Sequence, residues 1–157
     1  MKQDKTKILL MMAIAIIVWL CPNWAQAQFI EYQVLECEQV SPSVIKLSII
    51  VYGNDKKSID TDAMIAALNV AMFDGIEGTS FSKPLLEDGV NTSISNNPNY
   101  FNPFYDYRYQ DFIQSCTMAS KFKKADKKKG TSYTIEIKIL NLRKDLEKNQ
   151  IRKRLGI

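Results

Sequence analysis

Along this chain, apolar and polar positions alternate, then recur at helical spacing, then lose their period, and then repeat the cycle. Residues 29–38 put Ile30, Tyr32 and Val34 on one face, and residues 44–52 do the same with Ile45, Leu47, Ile49 and Val51. A period of two predicts two strands. Ser41-Pro42-Ser43 between them predicts a hairpin turn. Gly53-Asn54-Asp55 breaks the second strand, after which Ala63, Met64, Ala67, Leu68, Ala71 and Met72 recur every three or four residues. That stripe predicts a helix packed on a sheet, capped by Asp60 or Thr61 and stopped at Gly75.

From 76 to 99 no period survives; Gly78, Pro84, Gly89, Asn96, Asn97 and Pro98 punctuate a stretch whose one apolar knot is Pro84-Leu85-Leu86. The stretch runs into residues 100–112, where seven of thirteen side chains are aromatic: Tyr100, Phe101, Phe104, Tyr105, Tyr107, Tyr109 and Phe112. A long loop over residues 76–111 is therefore expected, and connections of that length are more often functional than not.

Alternation then returns. Phe112, Cys116, Met118 and Phe122 predict a third strand, and residues 131–141 predict a fourth with Tyr133, Ile135, Ile137 and Ile139 inward. Gly130 ends the lysine-rich link between them. Leu142 and Leu146 predict a last helix over 142–149, with Asn141 as its cap and Ile151 and Leu155 extending its apolar side. The order is ββαββα. Two β-hairpins joined edge to edge give an α+β domain, a four-stranded antiparallel sheet with two helices on one face. Strand order stays open.

The first 27 residues read as a signal peptide. Lys2, Lys5 and Lys7 precede an apolar run of 13 residues, 8–20, which is short for a membrane span of roughly 20. Pro22 ends the run, and Ala25-Gln26-Ala27 sets cleavage before Gln28. Leu20 before Cys21 argues against lipid attachment. The mature chain, residues 28–157, has the length of one domain. It is expected to be exported, periplasmic or extracellular, with no transmembrane segment left after cleavage.

Charge divides the chain. Residues 28–120 carry 5 basic and 12 acidic side chains, whereas residues 121–157 carry 13 basic and 4 acidic ones. Lys123, Lys124, Lys127, Lys128 and Lys129 form a candidate basic patch for an anionic lipid headgroup or an acidic partner, or else a solvated hairpin tip. Nucleic acid does not suit an exported protein. Cys37 and Cys116 are the two cysteines of the mature chain. A disulfide between them would close a loop of about 80 residues and contribute about 4 kcal/mol; two buried free thiols are the alternative.

The residues support little catalysis. There is no histidine, which removes Ser-His-Asp and Cys-His nucleophiles, histidine metal sites and the commonest general base. Nothing matches a zinc, redox or nucleotide-binding spacing, so no catalytic residue, metal or cofactor is expected. Asp106 and Asp111 beside aromatics are the one pair open to a small envelope hydrolase.

Phe73-Asp74-Gly75, Pro84-Leu85, Tyr100-Phe101 with Phe104-Tyr105, Phe112-Ile113, and Leu142 to Lys148 followed by Ile151-Arg152-Lys153 occur in a characteristic order. In that order the mature chain resembles a family of small exported, signal-peptide-bearing proteins of Bacteroidota bacteria. The resemblance implies a host and a compartment, and no activity.

The aromatic run has three uses open to it: plugging the core, docking a protein, or stacking on a glycan. Tyr and Arg are enriched at interface hot spots. We therefore expect a non-enzymatic accessory or binding subunit, its candidate contact residues being Tyr100, Phe104, Tyr105, Tyr107, Arg108 and Tyr109. Expected partners are an envelope protein, or in the alternative a glycan or lipid headgroup.

Overall fold

Branched and aromatic side chains pack well on a pleated surface, and the four stretches in which apolar and polar positions alternate become the strands. The computed structural model describes residues 30–53, 58–123 and 129–152; the expected signal peptide and Leu155 lie outside them. β1 (Glu31–Ser41) and β2 (Val44–Tyr52) make one hairpin, and β3 (Ile113–Lys123) and β4 (Lys129–Ile137) make the other. The hairpins join through β2 and β4, giving an antiparallel sheet in the order β1-β2-β4-β3. Ile45, Leu47, Ile49 and Val51 of β2 and Tyr133, Ile135 and Ile137 of β4 are buried on one face. The other face presents Lys46, Ser48, Thr134 and Glu136, which are only partly covered. The domain is α+β, as the alternation predicts.

The helices lie over the apolar face. α1 (Ile59–Asn69) packs across β2 and β4 through Ala63, Ala66, Ala67 and Leu68. It runs into a π-helical turn, Val70–Asp74, closed by the Gly75 amide donating to the Val70 carbonyl. Gly75 has φ of +82°, and the chain then folds back so that the Leu85 and Leu86 amides donate to the Ala71 and Met72 carbonyls. Those bonds satisfy the orphan acceptors at the helix end. The Pro84-Leu85-Leu86 knot is thus the lid on that end, with both leucines buried.

Several boundaries differ from expectation. Residues 76–111 are no structureless loop: they hold α2 (Val90–Asn96), α3 (Pro98–Asp106) and a 3-10 turn (Arg108–Phe112). Pro98 begins α3, where a missing N–H costs nothing, so the proline marks a start instead of a break. Asp60 and Thr61 do not cap α1; Ser58 stands at its cap position, and the two side chains reach Tyr133 and Tyr109 instead. Ile139 opens α4 (Ile139–Lys148) and is not a strand residue, so Asn141 is inside the helix. Ile139 continues the alternation of Ile135 and Ile137, yet it also stands three residues before Leu142, and helical packing wins. Met118, expected inward, is 42% exposed beside a register shift in β3.

Of the two alternatives for Cys37 and Cys116, the disulfide is excluded by register. Cys37 pairs with Leu47, Leu47 with Ile135, and Ile135 with Cys116. The two cysteines therefore occupy one row on opposite edge strands, three strand spacings or roughly 14 Å apart. A disulfide needs Cα atoms within about 7 Å. Both are free thiols, each with its pKa pushed up chiefly by partial burial.

Two outcomes follow from this architecture. A Cβ at Gly75 would run into the Ser82 carbonyl oxygen in a left-handed conformation, whereas Gly78 is left-handed with open space around it. Gly75→Ala is expected to cost more than the roughly 1–2 kcal/mol of the conformation alone, and Gly78→Ala no more than that, by urea denaturation. A purified chain of residues 28–157, exposed to air and then denatured, is expected to show two alkylatable thiols by mass spectrometry. Its melting temperature is expected to be unchanged by reductant.

Candidate functional site

The aromatic run divides by helical spacing. In α3, Tyr100 stacks on Phe104 at 5.7 Å and Phe101 on Tyr105 at 5.9 Å, each pair one turn apart, and Phe104 stacks in turn on Phe112. Tyr100, Phe101, Phe104, Tyr109 and Phe112 are buried. Of the expected contact residues, Tyr100, Phe104 and Tyr109 are thereby withdrawn from direct contact, because the sheet face needs their apolar area. Tyr105 is half-buried, its hydroxyl donating to the Asn69 side chain at 3.0 Å. Tyr107 is 61% exposed, and Arg108 beside it is partly so.

Asp145 of α4 organises what remains outward. Its Oδ2 accepts the Tyr100 hydroxyl and its Oδ1 accepts Arg108 Nη2, each at 2.8 Å. The Arg108 guanidinium lies 5.5 Å from the centre of the Tyr100 ring. The Arg108 and Asp145 side chains keep 25% and 19% exposure, so the pair is half-sheltered, where a charge-assisted bond is worth more than at an open surface. Burial pushes the Tyr100 phenol far up, with the Asp145 carboxylate adding to it. Burial does the same for Tyr105.

Around this trio lies a cleft of about 320 Å³, lined by residues 96–100 at the α2–α3 junction, Arg108, Asn149 and Ile151. The end of α4 builds one wall. Gln150 takes the left-handed conformation at φ of 61°, its amide donates to the Glu147 carbonyl, and the Ile151 amide donates to the Leu146 carbonyl. That pair of bonds is the Schellman stop, which turns Ile151 back toward the cleft. Asn149 Nδ2 donates to the Asp145 carbonyl at 2.8 Å, and Asn97 Nδ2 to the Ser93 carbonyl at 3.0 Å.

The remaining candidates stand apart from it. Asp106 and Asp111 are separately exposed, at the end of α3 and in the 3-10 turn. Lys124, Lys127 and Lys128 lie outside the described residues, while Lys123 and Lys129 are backbone register partners on the last rung of β3 and β4. No group of three or more acidic or cysteine side chains suited to a metal occurs among the described residues. Asp145, Asn149 and the Asn96-Asn97-Pro98-Asn99 run were not read as site residues from the sequence, where Asn96, Asn97 and Pro98 served only as loop punctuation. The asparagine density was a visible signal, but Asp145 meets Arg108 across 37 positions and left no local trace.

No protein-family model, curated protein or solved structure matches this chain.

The shifted phenols give a pH signature. Tyrosine ionises near 10 when free, and folding raises Tyr100 and Tyr105 above that. Their contribution to stability is therefore present in full below about pH 10 and lost as pH rises beyond it, by about 1.4 kcal/mol per pH unit for each phenol held neutral. Urea midpoints should be flat to about pH 9 and then fall, and Tyr100→Phe should make that fall shallower.

Proposed function

We propose that this chain is an exported, non-enzymatic binding protein of the bacterial envelope, an accessory subunit that engages its partner around the α2–α3 junction. The observation that carries this reading is the split of the aromatic run. Its inner residues are locked into the core, and they hold Tyr107, Arg108 and the adjoining cleft in one outward arrangement. Tyr and Arg presented on a rigid support are what interface hot spots are made of, and preorganisation spares the ordering cost of binding. Export rests on the signal-peptide pattern of residues 1–27. The hydrolase reading gains no such support, since Asp106 and Asp111 are separately exposed and an acid–base pair needs a shared substrate position.

A photo-crosslinking residue at Tyr107 or Asn99, compared in intact host cells with one at Thr117 on β3, tests this. We expect a discrete adduct from the first two positions and none from the third. Equal labelling at all three, or at none, would overturn the reading.

A further inference from the structure

We infer that the cleft beside Arg108 binds a neutral saccharide. The inference rests on the binding role proposed above and names the ligand class of the same site. Charge gives the first constraint. Among the described residues Arg108 is the one ionic residue lining the cleft, and Asp145 answers it at 2.8 Å. The carboxylate behind it offsets the guanidinium's charge, so among the described residues the cleft carries no net charge and favours a neutral group.

Hydrogen bonding gives the second. Asn97 and Asn149 each place one amide N–H on a backbone carbonyl, of Ser93 and Asp145, which orients both side chains and leaves each with its Oδ1 as an acceptor and a second N–H as a donor. Arg108 spends only Nη2 on Asp145, so its other N–H groups remain donors. Asn99 is exposed at the cleft and offers a side-chain amide that can both donate and accept, while its backbone carbonyl lacks the usual helical donor because Pro103, four residues on, has no N–H. Donors and acceptors thus line one cavity together. A hydroxyl is the group that donates and accepts at a single atom, and a sugar ring is a rigid array of hydroxyls. Pro98 and Ile151 supply apolar surface for its C–H face.

The Tyr100 ring is buried under Arg108 and cannot serve as a stacking platform. Binding is accordingly weak, with a Kd on the order of 0.1–1 mM for a short oligosaccharide.

The test is a nuclear magnetic resonance titration of the labelled mature protein with chitotriose, maltotriose, mannotriose and galactotriose. An oligogalacturonate and a tetrapeptide with a free carboxylate serve as charged comparators. The expected result is saturable shifts of the Asn96, Asn97, Asn99 and Asn149 side-chain amides with at least one neutral sugar. Asn99→Ala, at an exposed position that leaves the core alone, should weaken that binding about tenfold. Absence of saturation by any neutral sugar at about 10 mM, roughly ten times the weakest Kd expected, overturns the inference. Tighter binding of either charged comparator, or Asn99→Ala binding unchanged, overturns it as well. Because crosslinking at Tyr107 reads a partner independently, an adduct there without sugar binding refutes the saccharide and leaves the binding role standing.

Discussion

A four-stranded sheet with one apolar face has to have that face covered, and the architecture of this chain follows from how it is covered. β2 and β4 bring seven large apolar side chains to the centre of one side. α1 covers part of it with small residues, Ala63, Ala66 and Ala67, which allow a close approach but contribute little area each. α4 adds Ile139, Leu142 and Leu146. The deficit is met by the aromatic run, whose buried rings supply area that alanines cannot. That requirement decides the fate of Tyr100, Phe104 and Tyr109 before any question of binding arises.

The tyrosines that close the core bring hydroxyls with them, and each finds a partner on another element. Tyr133 reaches Asp60, Tyr109 reaches Thr61, Tyr105 reaches Asn69, Tyr32 reaches Asp74 and Tyr100 reaches Asp145. Among the described residues no buried side-chain polar atom lacks a hydrogen bond. An unmet hydroxyl would cost about 1–3 kcal/mol, so these links also fix the helices in register over the sheet. The Tyr100–Asp145 link does this at the surface. It holds α3 and α4 together where Arg108, the asparagines and Ile151 converge, and a cleft with its polar groups already aimed is the consequence.

Strand existence, the two hairpins, the α1 stripe and its stop at Gly75 were legible because each rests on local periodicity or on one residue's backbone freedom. Helices α2 and α3 were hidden because their punctuation, Gly89 and Pro98, sits at helix starts, where sequence alone reads a break. In α3 the aromatic saturation also masked the i, i+4 spacing of Tyr100 with Phe104. Ile139 fits both periods, so alternation alone assigned it to the wrong element.

By itself the sequence determined the class of fold, the absence of histidine chemistry and the division of charge, since these depend on composition and near-neighbour order. Only the tertiary structure decided the pairing of β2 with β4. With that pairing it decided that Cys37 and Cys116 sit on opposite edges of the sheet and stay apart. It also decided which aromatics turn inward, and that Asp145 meets Arg108 and Tyr100. These are contacts between positions far apart along the chain, set by strand order and by competition for one apolar face, and no local pattern encodes the outcome of that competition.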